Sequence, residues 1–189
     1  VFLRNLALGV ALAATCGLRI FLPLTVLSGA SLLGVVQLSG SLAWVGSVPA
    51  LTVLGVATVV EVAAYHVPWL DNALDWLGAP VAVGAGTLMA AALLPTGDPL
   101  LRWSLAAVAG GGAAAVVHGG MAVVRKASSL TTGGLANPLV SSGEAFGALA
   151  VSVILIALPV LAVVVVVAVI VGLVRLVRRT LAGPAAPAG

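Results

Sequence analysis

Between Glu144 and Arg175 the chain reads AFGALAVSVILIALPVLAVVVVVAVIVGLV (residues 145–174), a run without one charged side chain. A bilayer core about 30 Å thick needs roughly 20 apolar residues per helix, so this run crosses with length to spare. It lacks the period-two alternation of polar and apolar residues that a membrane barrel needs. A helix satisfies its own backbone hydrogen bonds locally, which is the condition that oil imposes. The surplus length and Pro159 predict a kinked last segment, from Pro138 to Val174.

The remainder of the chain has the same character. Of 189 residues, 62% are hydrophobic and 7% charged, whereas about 25% of a soluble domain is charged. Mean hydropathy is +1.29. Working outward from the last segment, the sequence predicts an all-α, polytopic transmembrane helix bundle of about five spans. The first occupies residues 1–36, broken between Gly17 and Pro23 and resumed as a half-helix or a tilted continuation. The others cover 48–66, 79–94, 101–124 and 138–174. Ser39 to Ser47 read as a loop with Trp44 at an interface.

Residues 68–78, PWLDNALDWLG, are amphipathic: Trp69, Leu70, Ala73, Leu74, Trp76 and Leu77 share one side of a helix, and Asp71, Asn72 and Asp75 the other. This predicts an interfacial helix in the headgroup plane, anchored by two Trp rings. Residues 1–22 lead straight into more membrane-like sequence, so they read as a first helix and not a signal peptide. A single integral membrane domain is expected over residues 1–180, with a disordered tail at 181–189.

The net charge of +3 comes from a few basic residues near segment ends, which report orientation and not nucleic-acid binding. Arg175, Arg178 and Arg179 predict a multi-pass protein of the cell membrane with a cytoplasmic C-terminus. Counting back places the Asp98/Arg102 turn inside and the acidic 68–78 helix outside. The same count puts Arg125 and Lys126 outside, where basic residues are disfavoured. Either the topology differs there, or the pair is held in the interior. The single Cys16 allows no intrachain disulfide and no multi-cysteine metal site.

An ionisable group within a membrane costs roughly 2.5–3.5 kcal/mol and so needs a partner or a wet cavity. Candidates are Arg19, Glu61, His66, His118, Arg125, Lys126 and Glu144. The richest stretch is RKASSLTTGGLANPLVSSGE (residues 125–144). Asn137 can cap a helix that begins at Pro138. Ser141 and Glu144 also have capping-box spacing and could start the helix themselves. A helix start presents unpaired N–H groups and a positive dipole end to an anion or polar solute. An ordinary polar loop outside the membrane is the competing reading of the stretch.

GLRIFLPLTVLSG (residues 17–29) echoes GLANPLVSSG (residues 134–143), and paired broken helices mark binding sites in transporters. A true repeat would bring Arg19 and Asn137 together. Glu61 and Tyr65, one turn apart, can hydrogen-bond each other. His118 shares a helix face with Arg125 and reads as a packed core histidine among small residues. No ligand spacing supports a metal, and no nucleophile motif, phosphate loop or redox pair supports an enzyme or a cofactor.

The segments Gly17-Leu-Arg-Ile-Phe-Leu-Pro-Leu, Glu61 with Pro68-Trp-Leu-Asp71 and Asp75, Lys126-Ala-Ser-Ser, and Thr131-Thr-Gly-Gly-Leu-Ala-Asn-Pro-Leu-Val-Ser-Ser-Gly-Glu144 resemble those of the domain of unknown function 4126 family of small multi-pass membrane proteins. The resemblance covers nearly the whole chain before the basic C-terminus. In that family an acid pair usually follows the serine; Gly143-Glu144-Ala145 retains one carboxylate, and His66 stands where relatives often carry another polar residue. The resemblance implies a membrane fold with polar sites and names no substrate.

Together these readings lead to a channel or carrier for an ion or small polar solute, its pathway lined by Arg19, Glu61, Lys126, Thr131, Thr132, Asn137, Ser141 and Glu144. The expected partners are the lipid bilayer, the solute and further copies of the chain, packed through the Gly110–Gly120 face; nucleic acid is not among them. The alternative is a non-transporting membrane scaffold or partner subunit, whose polar groups pair off and leave no wet cavity.

Overall fold

The computed structural model describes residues 2–65, 68–133 and 135–168, with the backbone alone over 68–76. Its elements are α1 (Phe2–Cys16), α2 (Phe21–Leu32), a 3-10 segment (Gly40–Gly46), α3 (Val48–Ala64), α4 (Pro68–Leu93), α5 (Pro99–Leu105), a π-helical turn (Ala106–Gly111), α6 (Gly112–Thr132) and α7 (Asn137–Ala157). A short apolar helix, α8 (Pro159–Ala168), follows. The described residues include no strand.

Helix starts and breaks follow local chemistry. Asp98 caps α5 by accepting from the N–H groups of Leu100 and Leu101 at 2.8 and 3.3 Å, and Ser47 accepts from Ala50 at the start of α3. Pro159 has no N–H and forces its predecessor out of the helical region; Leu158 sits at φ −128°, ψ 72°, and the expected kink of the last segment is a break between α7 and α8. The stretch 68–78 does not form a separate helix, since α4 runs unbroken from Pro68 to Leu93 through Pro80. The interfacial side chains expected at 68–76, the tail 181–189 and His66 lie outside the described residues.

Among the described residues two helices are each long and apolar enough to cross a membrane: Pro99–Thr132, which joins α5, the π turn and α6 in 34 residues, and α7. The 3-10 segment and α3, bent by 60°, together make a third candidate. By length and composition the count is thus two or three, against the five expected. These apolar helices, with Val53, Val59, Val108, Val116 and Phe146 exposed along them, are those of a membrane protein.

The Gly17–Ile20 break is a reversal, not a tilt. Along α2, Ile20, Thr25 and Ser28 meet Glu61, Thr58 and Val45 in turn, so α2 runs antiparallel to α3. Along α1, Thr15 meets Ser152 and Arg19 meets Ser141, so α1 runs antiparallel to α7. The far ends of the hairpin come back together, Leu8 of α1 lining the same cavity of about 430 Å³ as Gly34 and Val36 beyond α2. Gly17 turns against α6, where an added Cβ would lie 2.7 Å from Val117 Cβ and 2.8 Å from the His118 nitrogen.

Beneath this turn α1, α4 and the π turn pack through a seam of small residues. A Cβ on Gly110 would stand 2.5 Å from Ala90 Cβ and 2.6 Å from the Gly86 carbonyl; one on Gly86 would stand 2.6 Å from Ala114 Cβ. Such proximity is how helices associate when lipid removes the hydrophobic drive to do so. Gly110 and Gly111 of the Gly110–Gly120 face are therefore used within the chain, while Gly112, Gly119 and Gly120 meet open space.

Candidate functional site: a buried charged layer at the hairpin tip

The α1–α2 turn carries Arg19 into the interior, where it is 1% exposed. Its position is fixed by the tight Gly17 reversal behind it and by the start of α2 ahead. From α7, the Ser141 carbonyl accepts a hydrogen bond from Arg19 Nη2 at 2.6 Å, and the Ser141 hydroxyl contacts the same nitrogen. Glu144, one turn further along α7, places Oε2 3.5 Å from that nitrogen and Oε1 3.3 Å from Nε of Arg125 on α6. Both arginines and the carboxylate are at most 4% exposed. The carboxylate thus stands between two guanidiniums.

Tyr65, at the end of α3, lies against both cations: the guanidinium carbons of Arg19 and Arg125 stand 4.0 and 5.1 Å from the centre of its ring. A desolvated cation over an aromatic face gains about 2 kcal/mol or more. Glu61 does not bond the Tyr65 side chain, as its spacing had suggested. Its two oxygens accept from the backbone N–H groups of Ile20 and Phe21, at 2.7 and 3.0 Å. The carboxylate thereby caps α2 from a neighbouring helix, against the positive end of the helix dipole. His118 is buried at the base of the layer and packs on Gly78, where an added Cβ would come within 2.9 Å of its ring.

Of the eight expected pathway residues, Arg19, Glu61, Ser141 and Glu144 are buried and brought together. Lys126, Thr131 and Thr132 are exposed, and Asn137 is half-buried. Asn137 does not cap α7. It is already the first helical residue, following Ala136 in a helical conformation, and its amide donates to Ser129 at 3.0 Å, pinning the end of α6 to the start of α7. The Thr132 hydroxyl instead accepts from the Ala136 N–H. Ser141 and Glu144 do not start the helix either, lying one and two turns inside it. Arg19 consequently reaches Ser141, a turn beyond Asn137.

The pair Arg125/Lys126, whose charge defied the orientation rule, divides: Arg125 is 3% exposed inside the layer and Lys126 lies outside it. Arg125 was signalled by that violation, whereas no sequence feature marked Tyr65 as the ring beneath two cations. Among the described residues no group of His, Cys, Asp and Glu could hold a metal ion.

The layer thus gathers the motifs at both ends of the chain, and the comparison with family models covers the same ground. The model for the domain of unknown function 4126 matches residues 6–179. The chain belongs to that family. No curated protein and no solved structure matches the chain. All of the layer, from Arg19 to Glu144, lies inside the matched residues.

Proposed function

We propose that this member of the domain of unknown function 4126 family is a small, non-enzymatic transport protein of the cell membrane, a channel or carrier for an ion or small polar solute. The observation that carries the proposal is the layer itself: Arg19, Glu61, Arg125 and Glu144, all at most 6% exposed, converge where the chain reverses inside apolar helices. Charges taken into a membrane mark a solute or ion path more often than they mark stability. Transporter sites are commonly built from broken helices near mid-membrane.

The hairpin adjusts the topology. α1 and α2 have 15 and 12 residues, about 22 and 18 Å at 1.5 Å per residue, short of a core about 30 Å thick. They read as a re-entrant pair whose tip is sheltered by protein, the setting in which oil tolerates irregular backbone. α3, α4, α5–α6 and α7 then make the crossings. With these crossings Arg4 and Arg102 share one side, which the preference of basic residues for the inner face would make cytoplasmic.

A second reading has its own support. Several of the polar groups pair with one another, and the cavities of about 500 and 370 Å³ are lined almost wholly by apolar side chains such as Val10, Ala14, Val117 and Val53. Those features suit a scaffold that packs on itself or on another membrane protein, with Gly112, Gly119 and Gly120 as the open small face. Reconstitution in liposomes separates the readings. Transport predicts flux of at least one ion or small solute that falls when Glu144→Gln or Arg19→Lys is introduced into folded protein. Flux equal in both variants, or none across a panel of ions and small solutes, removes the transport reading.

A further inference from the structure

The layer is not equally satisfied around its arginine. A guanidinium carries five N–H donors and no acceptor. Arg19 uses Nη2 on Ser141 and Glu144, and one face of its plane lies on Tyr65. Nε and Nη1 are buried and meet no hydrogen-bond acceptor among the described residues. A donor stranded in this way costs about 1–3 kcal/mol, and more when it is charged. The Ser128 hydroxyl, on α6 one turn beyond Arg125, is likewise buried without a partner. The carboxylates are in use elsewhere, Glu61 holding the backbone of Ile20 and Phe21 and Glu144 standing between two guanidiniums.

Unmet donors call for an acceptor, which a bare cation does not bring. We propose that the Nε and Nη1 groups of Arg19 bind a small oxyanion, a carboxylate or phosphate group, at the hairpin tip. A planar guanidinium suits such groups because they offer several oxygens at matching spacing, where an ammonium offers only a point charge. The inference rests on reading the layer as the solute's site and narrows that solute from any ion to an oxygen-bearing anion.

The test uses the full chain in detergent, following thermal unfolding with inorganic phosphate or acetate against chloride and choline chloride at equal ionic strength. The expected result is a midpoint that rises with phosphate or acetate and stays fixed with the chloride salts, since a ligand that binds only the folded state stabilises it. A parallel arm adds phosphatidic acid without free phosphate; a rise there alone assigns the oxyanion to a lipid headgroup. Arg19→Lys is expected to raise the concentration required by about tenfold or more, the loss of one hydrogen bond to a charged group. No rise with any oxyanion, as when water alone meets these donors, overturns the proposal, as does an equal rise in Arg19→Lys. Should that variant not fold, the guanidinium N–H resonances of the native chain decide: movement with phosphate supports the site, and immobility overturns it. Flux carried by sodium or potassium without anion binding would refute this inference and leave transport standing; anion binding without flux would do the reverse.

Discussion

The twenty residues from Arg125 to Glu144 hold two kinds of polar group. Arg125, Ser141 and Glu144 turn inward, and Ser141 meets Arg19 across 122 positions of sequence. Ser129, Thr131, Thr132 and Asn137 turn outward and bond within eight positions, Thr131 and Thr132 to carbonyls of their own helix turn. A hydroxyl satisfied by the carbonyl four residues back needs no tertiary structure. A charge in a low-dielectric interior does, because removing one partner leaves the other buried and uncompensated. The inner set should therefore couple folding of distant helices, while the outer set trims one loop.

The hardest strain on that contrast is Glu144→Leu, which leaves Arg19 and Arg125 without their shared carboxylate. Denaturant unfolding in detergent is expected to show a loss of about 3–5 kcal/mol, the cost of breaking a buried ion pair. A loss within about 0.5 kcal/mol, as at an ordinary surface site, would show that inner and outer groups do not differ. Gly17→Val tests whether the layer depends on the reversal beneath it. Its Cβ would press on the Ala114 carbonyl and on Val117, and overpacking of this kind costs about 1–3 kcal/mol. Because the clash lifts the hairpin tip, Arg19 should lose Ser141 as well, seen as weaker coupling in a double-mutant cycle with Ser141→Ala. Glu61→Gln keeps one acceptor oxygen and gives up the other, so one of the Ile20 and Phe21 N–H groups is stranded. The expected cost is about 1–3 kcal/mol, with amide exchange accelerated at the start of α2 and unchanged in the middle of α4.

The same division explains what was legible in the sequence. Periodicity and length give the helices, and Pro159, Gly17 and the Ser39–Ser47 stretch mark where they break, because those signals are local. That α1 and α2 form a hairpin is not local. A glycine followed by Pro23 reads equally as a tilt, and only the pairing of Ile20 with Glu61 and of Arg19 with Ser141 fixes the reversal. Charge in an apolar chain singles out Arg19, Glu61 and Glu144, which lie buried together, and the orientation rule flags Arg125 and Lys126 without distinguishing them. They are adjacent, and helical geometry sends neighbours to different faces, so one enters the layer and the other leaves it. Asn137 and the two threonines share the polarity of the charged set, yet polarity cannot tell a buried group from one that ends a helix.

The smallest expected effect falls on that outer set, and it sharpens the contrast most directly. Asn137→Ala removes the bond to Ser129 between two helix ends that are already half exposed, so stability should change by no more than about 0.5 kcal/mol. Cysteine placed at Thr132 and, separately, at Ser141 then compares the two environments across nine positions of chain. Cys16 is buried and adds little background to a membrane-impermeant maleimide. Thr132→Cys should label fully from one side. Ser141→Cys, nearly isosteric and enclosed by Arg19 and Glu144, should label slowly or not at all in the resting protein. Equal rates at both sites would mean that bulk water reaches the arginine layer, and the ion pairs could then no longer owe their cohesion to a dry interior. Protection of Ser141→Cys that an added oxyanion deepens, with Thr132→Cys unchanged, would place solute and charge in the same enclosed layer.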